Sequence, residues 1–216
     1  MSAVLVGERY RQLLASPLAQ NGFEPVFLPD STKLDSRLAG HADLSVCLMP
    51  EKKAVLSREL GNNNVIVNFL TDRGIAIYVA EKDLAPDYPA DVPLCAAFVG
   101  GRLLHRLNCT DKAVTENFDG EKINTKQGYT KCSVLTFGNA AVSSDASILK
   151  VLKTFVPETD CLRLDWGDIL LEGFDAGFIG GASFTYNYNN VIYLTGHLGG
   201  TNTERLNAFA EKHGYK

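Results

Sequence analysis

The sequence predicts an α/β fold assembled from repeated hairpin–helix–strand units, and three features predict it. Four segments, residues 43–56, 94–104, 131–142 and 181–193, each read as an apolar strand, a tight turn and a second apolar strand. Their turns, Glu51-Lys52-Lys53, Gly100-Gly101, Gly138-Asn139 and Asn189-Asn190, are rich in the residues that tolerate the positive φ of a tight hairpin. Helical stretches and single strands fill the intervals of roughly 40–50 residues between hairpins, and that period implies a ring or solenoid of internal repeats, not a doubly wound sheet. Each first strand also carries a small residue near its start, Ser45, Ala96, Ser133 or Ser183, as expected if the strands crowd toward a common axis.

The linking elements can be read in order. Residues 3–6 form an apolar strand, residues 9–19 a helix and residues 24–28 a second strand. The stretch 80–92, with Pro86, Pro89 and several acids, reads as a loop inside one domain spanning 1–216. Asp145 is a helix N-cap candidate, and Ile148, Leu149, Leu152 and Phe155 fall on one face of the helix that follows. It leads into a short strand at 161–165. Residues 203–213 form a last helix ending at Gly214, a C-cap signal. By analogy a strand should follow that helix, so either the N-terminal strand closes the ring or residues are missing.

Composition narrows the functional classes. With 45% hydrophobic and 21% charged residues the chain is ordinary globular material. A net charge of -4 and the lack of any Lys/Arg-rich run argue against a nucleic-acid or lipid-headgroup partner. The N-terminal apolar run is too short to span a bilayer and has no basic leader, so the expected compartment is the cytoplasm, without membrane attachment. Five cysteines, widely spaced and with no CxxC pair, imply neither a disulfide framework nor a zinc knuckle. No metal site or cofactor is expected, and self-association into a homo-oligomer stays open.

Three motifs suggest a relationship. Lys126-Gln-Gly-Tyr-Thr-Lys-Cys-Ser, Leu171-Glu-Gly-Phe-Asp-Ala-Gly-Phe-Ile-Gly-Gly-Ala-Ser and Tyr88-Pro-Ala-Asp-Val-Pro together resemble an uncharacterised bacterial family of the guanidino-group-modifying-enzyme fold. That fold, also called the pentein or α/β-propeller fold, sets hairpin–helix–strand units around a pseudo-fivefold axis. The resemblance covers most of residues 40–200. It implies an axial small-molecule pocket and a ligand of guanidino type. Active members of the fold use a cysteine nucleophile, a proton-carrying histidine and carboxylates that hold the guanidinium. Leu164-Asp-Trp-Gly-Asp-Ile-Leu looks like the Leu-Asp-Gly-Gly-Asp-Val-Leu segment of the hydrolases, which makes Asp165 and Asp168 candidate guanidinium acceptors, and Asp43 sits where another carboxylate is often found. Two departures weigh against catalysis: Tyr129 stands in the place of the hydrolases' histidine, and no cysteine follows Cys161, whereas the hydrolases place their nucleophile in the final unit.

The remaining candidates come from the residues themselves. Cys132, at the start of a strand beside the cationic Lys131, is the best candidate nucleophile; a buried structural cysteine crowded against the axis is the favoured reading of the same position. His41 lies two residues before Asp43, so alternation along a strand would put both on one face as a proton-transfer pair, while a turn whose side chains bond local backbone is the competing reading. His105, in an apolar strand, reads as a satisfied core histidine. Asn108 and Asp111 follow a hairpin and could reach a ligand, although Asp111 also suits a helix cap. Gly180 and Gly181 require a close backbone approach, either to a ligand or at the tightest packing point of the ring. Two functions fit: a binding protein or pseudo-enzyme with a small-molecule pocket, or a cysteine-dependent hydrolase, deiminase or amidinotransferase.

Overall fold

In the computed structural model, which describes residues 1–216, thirteen short strands form five separate small sheets in chain order. The chain divides into two compact units, residues 1–94 with 109–118 and residues 95–108 with 119–216.

In the first unit, β1 (Ser2–Gly7) pairs in parallel with β2 (Phe23–Leu28), and α1 (Arg11–Gln20) makes the crossover. A single helical turn, α2 (Ala42–Ser45), then leads into the antiparallel hairpin of β3 (Val46–Met49) and β4 (Lys53–Leu56). Two helices, α3 (Arg58–Gly61) and α4 (Asn64–Thr71), carry the chain to β5 (Ala76–Val79), which lies parallel to β4. Ser57 and Asn63 cap these helices through their side-chain oxygens, satisfying N–H groups that the first turn leaves unpaired. Leu28, Val46, Leu56, Leu60, Ile66 and Leu70 form the core beneath them, and burying each such side chain contributes about 1.5–3 kcal/mol. The short α5 (Lys112–Glu116) also belongs to this unit.

The second unit repeats the plan. The hairpin of β6 (Ala97–Val99) and β7 (Arg102–His105) gains β8 (Lys122–Asn124) as a parallel third strand. A helical turn, α6 (Thr130–Ser133), opens the next hairpin, β9 (Leu135–Phe137) with β10 (Ala140–Ser143). Helix α7 (Ala146–Phe155) then returns the chain to β11 (Asp160–Arg163), parallel to β10. Asp145 caps α7 as expected, its Oδ1 accepting from the N–H groups of Ser147 and Ile148. Ile148, Leu149 and Leu152 are buried, but Phe155, the last residue of the helix, is 48% exposed. The final hairpin joins β12 (Ser183–Tyr186) to β13 (Val191–Leu194), followed by α8 (Gly200–Lys212) and Gly214 at φ 75°. The third-strand position beside β13 is taken by Lys216, which donates to Asn190 O and accepts from Ile192 N, whereas the N-terminal strand pairs with β2. No helix is long and apolar enough to cross a membrane.

The turn chemistry is close to expectation. Gly100, Gly101, Gly138 and Asn190 have positive φ, and so do Glu51 and Lys52, which adopt it without glycine; Lys53 already belongs to β4. The small-residue repeat holds in a shifted register. Counting back four residues from the last ladder pair of each hairpin, at Met49, Val99, Phe137 and Tyr186, gives Ser45, Cys95, Ser133 and Ala182. The expected Ala96 and Ser183 therefore lie one residue late, and Cys95 occupies a repeat position.

Candidate functional site

The tightest cluster of expected site residues lies where the hairpins of the second unit begin. Gln127 folds the approach to α6: its backbone carbonyl accepts from the hydroxyls of Thr125 and Thr130, and its Oε1 accepts from Tyr129 N. His105 closes the same corner. It is fully buried, and its Nε2 lies 2.7 Å from Gly128 O; since a carbonyl can only accept, Nε2 carries the proton. That is the satisfied core histidine expected from the apolar strand.

This local folding puts Cys132 inside the helical turn of α6, not at the start of a strand, two residues short of Val134 where extended backbone begins. Lys131 N donates to Cys95 O at 2.9 Å, and Gly181 N donates to Cys132 O at 2.8 Å, so the openings of three successive hairpins are tied by backbone bonds. Lys131 Nζ donates to Gly180 O at 2.9 Å. A Cβ on Gly180 would stand 2.3 Å from Lys131 O and 2.4 Å from Val134 O, so the glycine is required by packing. Four expected residues, Lys131, Cys132, Gly180 and Gly181, are thus brought together. Sequence reasoning missed a fifth member. Cys95 is fully buried, Cys132 is 5% exposed, and their sulphurs are 3.3 Å apart. Sulphur is also the donor type that soft cations prefer.

The acidic motif forms a second cluster in the same unit. Asn202 of α8, 1% exposed, accepts from Asp165 N and donates through Nδ2 to Asp165 O and to the Asp168 carboxylate at 2.5 Å. Arg205 lies one helical turn on, with its guanidinium 3.3 Å from the Asp165 carboxylate and bonded to Arg163 O. A Cβ on Gly199 would stand 2.7 Å from the Asp168 carboxylate, which would have to shift to admit it. Neither Asn202 nor Arg205 stood out in the sequence; the available signal was their i, i+3 spacing on one face of a helix.

The other candidates are placed as follows. Asp111 is the N-cap of α5, accepting from the N–H groups of Ala113, Glu81 and Lys82, so the capping reading holds. Asn108 lines an open polar hollow of about 430 Å³ with Arg106, Asn124, Thr125 and Lys126. In the first unit, His41 is the N-cap residue of α2 and Asp43 lies within that helix, so strand alternation does not relate them, and the His41 side chain makes no capping bond. Its ring packs edge-on to Tyr10, its Nε2 is buried without a hydrogen-bond partner, and burial holds its pKa below the ordinary histidine value; Asp43 opposes that shift and Arg9 reinforces it. The imidazole is therefore neutral at neutral pH. Among the remaining cysteines, burial raises the pKa of the Cys161 thiol.

The elements and their order define a mixed α/β fold. Three crystal structures of ArgZ, described as an arginine dihydrolase from the ornithine-ammonia cycle in cyanobacteria, share it. Its N-terminal domain, in a variant covalently bonded to a reaction intermediate, matches with a TM-score of 0.58 at 16% identity, over 97% of this chain and 76% of that one. The product-bound N-terminal domain gives a TM-score of 0.55 at 16% identity with the same coverage. The apo protein gives 0.56 at 14% identity, over 96% of this chain but 35% of its own, so this chain spans about a third of ArgZ. At such identity the likeness is one of fold. No curated protein matches the sequence. The chain belongs to the family of unknown function DUF6873, whose pattern it matches over residues 5–216.

Proposed function

We propose that this protein is a pentein-type binding protein, its five sheets forming the blades of a propeller, that holds a small guanidino compound at the axis without hydrolysing it. The state of Cys132 carries the reading. A nucleophile has to reach the guanidinium carbon, and this thiol is buried in a packed turn against a second thiol. The final hairpin, where the hydrolases carry their cysteine, reads Ser183-Phe184-Thr185-Tyr186. The propeller is supported by the five sheets and by the backbone bonds that chain successive hairpin openings. Guanidino recognition is supported by the fold shared with ArgZ and by the carboxylates Asp43, Asp165 and Asp168; a guanidinium of the chain itself already contacts Asp165. None of the five cysteines is in a disulfide, as in a reducing cytoplasm, and that is the compartment assigned here.

A panel of arginine, agmatine and methylated arginines, followed by thermal shift and by ammonia and urea assays, tests this. A ligand that prefers the native state raises the melting temperature. The expected result is a saturable shift with one guanidine and no product. Failure of every guanidine to shift the transition would refute the reading, and product formation would replace it with the cysteine-dependent hydrolase. The neutral, half-buried His41 favours that second reading as a proton carrier. In that case an alkylating reagent at neutral pH labels Cys132 faster than Cys47, Cys95, Cys109 and Cys161.

A further inference from the structure

We infer that Cys95 and Cys132 form a reversible redox pair, a modification site that converts to an intramolecular disulfide by exchange with a small-molecule disulfide of the glutathione class. The two residues are 37 positions apart, yet their sulphurs lie 3.3 Å from each other. The Lys131 N to Cys95 O hydrogen bond, 2.9 Å long, ties the residue next to Cys132 directly to Cys95. Both residues begin hairpins: Cys95 at the repeat position and Cys132 one residue before the equivalent Ser133. Forming the bond requires the sulphurs to close from 3.3 Å to about 2.0 Å. The inference does not depend on the ligand reading, because it uses only the packing of the hairpin openings.

The chemistry balances as two exchanges. Local opening of the α6 turn exposes Cys132, the more accessible residue of the two, and its thiolate attacks one sulphur of the small disulfide, forming a mixed disulfide and releasing one thiol. The Cys95 thiolate then attacks the Cys132 sulphur, and the second small thiol departs. The two protons lost by the protein thiols are taken up by the two leaving thiolates. The protein is oxidised by two electrons and the small disulfide is reduced to two thiols. In a reducing compartment such a bond forms transiently, as a response to oxidant.

The test uses the full chain, reduced, freed of reductant and exposed in its folded state to oxidised glutathione. Thiols are then counted in denaturant, and a non-reducing digest is mapped by mass spectrometry. The expected count falls from five to three, the intact mass falls by two hydrogens, and the cross-linked peptide joins Cys95 to Cys132. In Cys95→Ser the second exchange is blocked, and Cys132 retains the glutathione adduct. Cys95→Ala serves as a second background, and the wild-type measurement needs neither variant to fold. Five surviving thiols at an oxidant level that fully oxidises a small dithiol would overturn the inference. So would a cross-link mapped to any other pair, or stable adducts on both Cys95 and Cys132 of the wild type.

Discussion

Replacing Gly180 with alanine tests the packing on which the site depends. The added methyl would stand 2.3 Å from Lys131 O and 2.4 Å from Val134 O, where ordinary carbon–oxygen contacts begin near 3.2 Å, so two carbonyls must retreat by about 1 Å. Both belong to backbone rather than to a flexible side chain, and α6 cannot shift without disturbing the Gly181 N to Cys132 O bond and the Lys131 Nζ to Gly180 O bond. Overpacking of this kind costs about 1–3 kcal/mol, and a weakened buried hydrogen bond adds about 1 kcal/mol. A total of about 2–4 kcal/mol is a large part of a typical domain's stability, and for a chain of this length it lowers the melting temperature by roughly 4–16 °C. Gly180 has no positive φ, so the effect is contact and not backbone strain. Gly196→Ala is the matched control: it meets nothing within 4 Å, also lacks positive φ and should stay within about 0.5 kcal/mol of wild type. Thermal melts of the three proteins decide the matter. If Gly180→Ala melts with the control, the close approach of the hairpin openings is wrong.

Three other perturbations have defined outcomes. Asn202→Ala removes three bonds to the Asp165–Asp168 segment from a buried position; urea titration should show a loss of about 2–3 kcal/mol, with faster proteolysis of that segment, and unchanged proteolysis would contradict the clamp. Asp145→Ala should cost about 1 kcal/mol by loss of the α7 cap while Asp145→Asn recovers most of it, and equal urea midpoints for the two would exclude capping. His41 is held below its unfolded pKa of about 6.5, so the unfolded chain binds the proton first: stability is full above that pH and declines as pH falls toward the folded value. His41→Gln should flatten the decline in urea midpoint below pH 6.5, and parallel curves would show that another group governs it.

The residues that carried the fold in the sequence are those that act locally. Gly100-Gly101 and Gly138 fix hairpins by their own backbone freedom, and Asp145 marks the start of α7 because its carboxylate bonds the next residues. Glu51 and Lys52 took positive φ without a glycine to announce it, since the flanking strands impose the turn. The single helical turns α2 and α6 are too short to show a 3.6-residue period, which is why His41, Asp43 and Cys132 read as strand residues. Asp111 was ambiguous between cap and ligand because the same carboxylate suits both, and only its three backbone donors resolve it. The Cys95–Cys132 contact left no trace at all: it joins two repeats, and a pairing set by tertiary packing has no spacing rule.

Guanidine binding without turnover is tested most directly by equilibrium dialysis of the full chain against arginine and agmatine labelled at the guanidino carbon, with mass analysis of both compartments. The account predicts that the label of one of them accumulates with the protein and is recovered as the intact guanidine. Label recovered in urea or a ureido product, or distributed equally across the membrane for both compounds, would contradict it.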